Sequence, residues 1–196
     1  MLRLLRFALA SASVAALVGC AGTNFVRPDD DTFRLGKTTY TQIVERMGSP
    51  ITTGEFISQA SGKKLKVARY GFATYGAVRT RIQVYFFHDD VLVARNFTSN
   101  FPEDSSDWNE SKVDDLVKGK TTRAEVIAML GRPSGAYIWP AVAKTSGEAI
   151  GYHHSYITSQ FTGLGNKRLR HSKHLVITFD DRDRVLDIEY RKKDDQ

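Results

Sequence analysis

Residues 36–50 read GKTTYTQIVERMGSP and residues 119–133 read GKTTRAEVIAMLGRP, so one pattern occurs twice, displaced by 83 positions. In each copy a Thr is followed three residues later by Gln or Glu, which is the sequence of a capping box at a helix start. Gly48 and Gly131 stand where a left-handed residue ends a helix, and a Pro follows each. The repeat therefore predicts two equivalent helices of about eight residues, each too short to be stable without packing on other elements.

Strand patterns follow each predicted helix. Apolar residues alternate with polar ones in three segments of each copy, and Asp-rich turns join the later two as hairpins. The segments are 66–74, 81–87 and 91–98 in the first copy and 150–157, 174–179 and 186–190 in the second, with short first strands indicated at 55–58 and 135–139. A further short helix, with Ser111 as its N-cap, is expected before the second copy's main helix. The predicted fold class is α+β, with two tandem units that each pack a helix pair on an antiparallel sheet of about three strands.

The first twenty residues predict export and lipidation. Arg3 and Arg6 precede a short apolar stretch over residues 7–18, which is typical of a secretory signal peptide and too short to span a bilayer. The stretch ends at Gly19-Cys20 and resembles the bacterial lipobox, which implies cleavage between these residues and acylation of Cys20 with diacylglyceryl and an amide-linked chain such as palmitate. The alternatives are a plain signal peptide with a chance cysteine, or a buried free cysteine. Ala21, in place of Asp, implies sorting to the outer membrane.

These features divide the chain into segments. The predicted parts are a signal peptide (1–19), a lipidated tether (20–31), unit 1 (32–99), a Pro-, Asp- and Ser-rich linker (100–110), unit 2 (111–191) and a charged tail (192–196).

The lipobox and the doubled Gly-x-Thr…Gly-x-Pro pattern together resemble the SmpA/OmlA (BamE-like) small outer-membrane lipoproteins. The resemblance covers residues 33–98 and 111–190, and it implies a fold of two helices on a three-stranded antiparallel sheet for each copy. Most members of that family carry one unit, whereas this chain carries two. Tandem copies of the unit are also similar to the architecture of the β-lactamase inhibitor protein, which is secreted.

Several function classes are disfavoured. The Gly-Lys-Thr-Thr runs lack the Gly that a nucleotide-binding P-loop needs five residues earlier, since Asp31 and Asp114 stand there. His153 and His154 are adjacent in a predicted strand, and His171 and His174 are three residues apart. Each pair therefore points to opposite faces, and we expect no metal site, no cofactor and no catalytic residues. A net charge of +6 over 196 residues does not indicate nucleic acid binding.

The segment from Thr158 to Ser172 is the strongest candidate for a binding site. The second copy joins two strands here with about fifteen residues, where the first copy uses about five, and long loops on compact units are commonly functional. The segment ends in a basic run over 167–174 that suits an anionic surface, although a solvated loop would look the same. The residues predicted to contact a partner or anionic lipid are Phe161, Leu164, Lys167, Arg168, Arg170 and Lys173.

The sequence thus predicts a non-enzymatic lipoprotein on the periplasmic face of the outer membrane. We expect a binding or scaffold module in envelope assembly or maintenance, with an envelope protein as partner and anionic phospholipid or lipopolysaccharide as a further ligand. The alternatives are an inhibitor of an envelope or secreted hydrolase and, third, an envelope hydrolase. The apolar faces on both sides of the strand at 81–87 imply either two stacked sheets or an aromatic sheet face that is left for a partner.

Overall fold

The computed structural model describes residues 23–74, 79–104, 106–143, 147–161, 163 and 165–194. The predicted signal peptide, its cleavage site at Gly19 and the lipidation site Cys20 lie outside the described residues. So do Leu164 and the last two residues of the charged tail.

Both helices of the repeat form as predicted. Helix α1 spans Tyr40–Met47 and helix α2 spans Arg123–Leu130. Thr39 and Thr122 are their N-caps, and both capping boxes are closed by the side chain three residues on. The capping glycines after the helices have φ of 78° and 83°, values at which any residue other than glycine is strained.

Eight antiparallel strands form one sheet, in which each strand pairs with the next along the chain. The strands are β1 (Thr52–Ile57), β2 (Lys64–Ala73), β3 (Thr80–His88), β4 (Val91–Ser99), β5 (Gly135–Tyr137), β6 (Ala149–Phe161), β7 (Asn166–Phe179) and β8 (Val185–Asp194). The two copies therefore contribute four strands each, and the pairing of β4 with β5 joins them edge to edge.

The predicted fold class is wrong. The described chain is mostly one eight-stranded antiparallel sheet with two short α-helices, and neither copy has a helix pair on a three-stranded sheet. The expected helix after Ser111 is instead a 3-10 helix over Glu110–Lys112, capped by Asn109. Backbone bonds from Lys112 to Leu116 join residues three apart, which is the pattern of a 3-10 helix and tight turns and not of an α-helix.

The repeated Gly-Lys-Thr-Thr motif fastens each helix to the last hairpin of its own copy. The Gly36 N–H donates to the Leu92 carbonyl (2.8 Å), and the Gly119 N–H donates to the Val185 carbonyl (2.7 Å). The Leu92 and Val185 N–H groups return bonds of 2.8 Å to the motif. Both hairpins also carry a bulge, next to Phe87 and Phe179. The duplication is therefore present in the structure as well as in the sequence.

Both helices pack on the same face of the sheet, which we call the helix face. Ile43 of α1 is fully buried against β2 and β3, and Val126 of α2 is fully buried against β6 and β7. Trp108, from the predicted linker, is 5% exposed and closes the second core. The opposite face, which we call the open face, carries no helix in the described chain.

The described part of the predicted tether, residues 23–31, packs on the protein. The Arg27 guanidinium lies 5.0 Å from the Phe97 ring and donates to the Pro133 carbonyl. Asp30 accepts from Arg132 at 3.0 Å and lies 3.4 Å from Arg95. The segment therefore crosses the boundary between the two copies and binds to both; we call Arg27, Asp30, Arg95 and Arg132 the seam cluster.

The carboxylate of the seam cluster is stabilised in its charged form. Partial burial alone would raise the pKa of Asp30, but the hydrogen bond from Arg132 and the charges of Arg95 and Arg27 hold it below its usual value. Burial, together with repulsion from Arg132, lowers the pKa of Arg27 to about 10, so Arg27 remains a cation at neutral pH.

Candidate functional site

The predicted loop between β6 and β7 is a hairpin that extends past its neighbours. In the described chain β5 pairs with β6 only over residues 149–151, and β8 pairs with β7 only as far as His171. The strands β6 and β7 nevertheless remain paired to Phe161 and Asn166. Residues 157–161 and 166–170 therefore form a two-stranded projection, which we call the arm. Its base carries the stacked rings of Tyr156 and His171, with centroids 4.7 Å apart.

Four of the predicted contact residues lie on the arm. Phe161 stands at the end of β6 with 78% of its surface exposed, and the Lys167 and Arg170 side chains are exposed on β7. The backbone of Arg168 lies between them in β7. The structure thus brings an apolar tip and three cationic positions together at one end of the molecule.

Lys173 lies outside the arm and is already bound. Its ammonium is 2.7 Å from the Asp107 carboxylate and donates to the Trp108 carbonyl at 2.6 Å. It also lies 4.8 Å from the centre of the Trp108 ring. Lys173 therefore fastens the linker to the sheet, and its charge is largely balanced within the molecule.

A polar cavity of about 590 Å³ lies between the linker and the arm's base. Asp107, Glu110 and Lys192 contribute charges to its lining, and Glu110 pairs with Lys192 at 2.9 Å. His154 forms another wall, where burial lowers the pKa of its imidazole. With each acid opposite a base, the cavity has no strong preference for either sign of charge.

The open face carries a groove with apolar side chains at one end. The groove has a volume of about 580 Å³. Phe56 on β1 is 46% exposed and meets Phe86 on β3 edge to face at 5.6 Å. The remaining apolar lining includes Tyr137, Val142 and Val176.

The second copy's end of the groove is ionic. Asp187, Glu189 and Arg191 of β8 line it, with Glu189 and Arg191 paired at 3.5 Å. His174 lies beside them, and its ring is 5.5 Å from that of His153. Burial lowers the pKa of both histidines, which favours their neutral forms. The groove therefore joins an apolar half to a charged half, as protein-binding surfaces do.

The sequence left open whether the two sheets stack or whether an apolar sheet face stays uncovered. The sheets of the two copies do not stack, so Phe86 faces the groove while Tyr85 and Phe87 are buried under α1. Sequence reasoning did not identify Phe56 or Val142 as site residues. The one signal available was the strand over 81–87, which is apolar on both sides.

The histidines occupy the faces that alternation predicts. His153 and His174 meet on the open face, whereas His154 and His171 lie on the helix face beside Tyr156. Among the described residues there is no group of three His, Cys, Asp or Glu side chains that could hold a metal ion. No helix within those residues is long and apolar enough to cross a membrane.

Comparison with protein-family models, with curated proteins and with solved structures returns no match for this chain.

Proposed function

We propose that this protein is a lipid-anchored, non-enzymatic binding module on the periplasmic face of the outer membrane, and that it holds a protein partner on the open face of its sheet. The observation that carries the proposal is the open-face groove, which joins an exposed aromatic half to an ionic half on one continuous sheet. Exposed apolar surface rimmed by polar groups is typical of sites where another protein docks.

The geometry favours a protein over a small molecule. The groove is lined by residues of every strand except β6, so it offers contacts spread over most of the sheet. Phe56 and Phe86 provide an aromatic pair, and aromatic residues are enriched at the cores of protein interfaces. The paired Glu189 and Arg191 at the far end suit a polar rim that selects among partners.

The sequence supports the anchoring half of the proposal. The ending at Gly19-Cys20 resembles a lipobox and predicts acylation of the only cysteine, and two or more acyl chains hold a protein stably in a membrane. A module held there meets envelope proteins, which suits a role in envelope assembly or maintenance. The second candidate, an inhibitor of an envelope or secreted hydrolase, would use the same face, since a continuous sheet can cover an enzyme's cleft.

Site-specific photocrosslinking in native envelopes tests the docking surface. A photoreactive residue at Phe56, on the open face, is expected to capture a discrete partner. The same residue at Ile127, which is 37% exposed on α2, is the matched control and should not capture it. Equal capture from both positions, or none from Phe56, would contradict the proposal. If the captured partner is a hydrolase whose activity falls in proportion to added protein, the inhibitor is the correct reading.

Anchoring is tested separately by the mass of the native protein. We expect a chain that begins at Cys20 and carries acyl groups, and Cys20→Ser is expected to move the protein from the membrane to the soluble fraction. A native chain that is unacylated would refute the anchor without bearing on the docking surface.

A further inference from the structure

The arm combines positive charge with an exposed apolar tip. Between Glu148 and Asp180 the sequence contains no acidic residue, and the arm itself carries Lys167, Arg168 and Arg170. The nearest acid in register, Asp194, stands opposite His171 at the arm's base. Phe161 at the tip is the second most exposed large apolar side chain in the described chain. Basic residues that flank an exposed aromatic side chain are typical of segments that enter an anionic membrane interface.

The arm leaves the sheet at the end where the N-terminal segment also lies. Asn96 of β4 pairs with Gly135, and Gly135 pairs with Gly151 of β6, so β4 and β6 run in the same direction from this level. Three residues further along β4, Ser99 pairs with Arg81. The Arg81 guanidinium donates to the Asn24 side chain at 2.9 Å and to the Phe25 carbonyl at 2.7 Å.

The tip can reach a membrane that holds Cys20. The backbone of Arg81, whose side chain binds Asn24, is in register with residue 154 of β6, which leaves seven residues to Phe161, or about 24 Å of strand. Sheet twist between β4 and β6 shortens the projection along β4 to about 17 Å. The four residues from Cys20 to Asn24 span at most about 14 Å even when fully extended. The arm's tip and the anchored cysteine can therefore reach similar distances in this direction.

We propose that the arm is a membrane-contact element that inserts Phe161 among the anionic phospholipid headgroups of the leaflet that carries the lipid anchor. The proposal rests on the proposed anchoring for the orientation of the molecule, but the arm's own affinity for anionic lipid does not depend on acylation. A second contact beside the anchor would restrict rotation of the protein on the membrane. The open face would then keep a constant orientation toward its partner.

Vesicle binding by the mature chain with Cys20→Ser tests the arm without the anchor. The protein is expected to sediment with phosphatidylcholine vesicles that contain phosphatidylglycerol, and not with phosphatidylcholine alone. Reversing two arm charges, with Lys167→Glu and Arg170→Glu, is expected to weaken binding at least tenfold. The matched control reverses two exposed charges at the opposite end of the sheet, with Lys37→Glu and Arg182→Glu, and should change binding less than twofold.

The tip is tested by fluorescence. With Phe161→Trp, anionic vesicles are expected to shift the added indole emission to shorter wavelength, while a Trp at Ile57, an exposed position on edge strand β1, should not respond. Equal losses from the two charge reversals, or no shift at position 161, would overturn the proposal. Binding to lipopolysaccharide but not to phosphatidylglycerol would also overturn it. Failure here with an acylated native Cys20 would refute the arm alone, whereas an unacylated Cys20 would refute the anchor alone.

Discussion

The seam cluster is expected to stabilise the junction between the two copies. The pairing of β4 with β5 involves only three residue pairs, so the N-terminal segment is expected to contribute measurably to the junction. Asp30→Asn keeps the side chain's size but removes the charge that Arg132 contacts at 3.0 Å and Arg95 at 3.4 Å. The carboxylate is about half exposed, which places its contribution well below that of a fully buried ion pair.

The expected loss of stability in Asp30→Asn follows from these contacts. A hydrogen bond to a charged group contributes roughly 1.5–3 kcal/mol when shielded, and an exposed ion pair contributes about 0.2–1 kcal/mol. For a half-exposed carboxylate we therefore expect Asp30→Asn to lower the free energy of unfolding by about 1–2 kcal/mol. In a chain of this size that corresponds to a fall in Tm of roughly 3–6 °C. Asp31→Asn, at the exposed neighbouring position, is the control and should change Tm by less than about 1 °C.

The pH dependence provides an independent check. The pKa of Asp30 is lowered in the folded state, so its stabilising contribution is complete above the unfolded-state pKa of about 3.9 and is lost as the pH falls through the folded-state value. The Tm difference between the wild type and Asp30→Asn should be constant from about pH 7 to pH 5 and should shrink below about pH 4. Thermal unfolding followed by circular dichroism measures it. A difference equal to that of Asp31→Asn, or one that grows in acid, would refute the reasoning.

Further predictions concern the sheet and the duplicated unit. Gly151→Ala should destabilise the protein by about 1–3 kcal/mol in denaturant titrations, because the added methyl carbon would lie 2.6 Å from the Tyr137 hydroxyl. Gly54→Ala is the control, because the space around Gly54 is open, and it should change stability by less than about 0.5 kcal/mol. The Tyr70 and Tyr152 hydroxyls donate at 3.0 and 2.9 Å to the glycine carbonyls that end α1 and α2. Tyr70→Phe and Tyr152→Phe should therefore each lower the free energy of unfolding by about 0.5–1.5 kcal/mol. The two losses should add in the double variant, because the sites are distant from each other. Clearly unequal or non-additive losses would argue against equivalent units. Deleting residues 160–168 should leave Tm nearly unchanged but weaken binding to anionic vesicles, whereas unchanged binding or collapse of the fold would contradict the assignment of these residues to the arm.

Local structure was predictable where it depends on contacts between residues close together in the chain. The capping boxes at Thr39 and Thr122 are examples, because the cap and its partner are three residues apart. Most strands were predicted within a few residues of their observed bounds, since alternation reports which side of a strand is buried. The expected helix after Ser111 was wrong because its apolar spacing also fits a chain of tight turns that places Leu116 in the core.

The arrangement of the candidate site was not predictable from local patterns. The sequence placed Lys173 with the arm cations, but the structure binds it to Asp107, which is far away in the chain. Phe56 and Val142 line the same groove on the open face only because the two copies share one sheet. The predicted tether contained Asp30, whose partners Arg95 and Arg132 follow it by more than sixty residues.

The sequence by itself determined the duplicated unit, its two helices and most of its strands, because capping, glycine conformation and alternation act over a few residues. Only the tertiary structure decided that the two copies merge into one eight-stranded sheet, that one face of the sheet stays open and that the arm projects from the end of the sheet where the N-terminal segment lies. The physical reason is that strand pairing and burial join residues distant in the chain, and the pattern within a strand does not specify which edge or face its neighbours will cover.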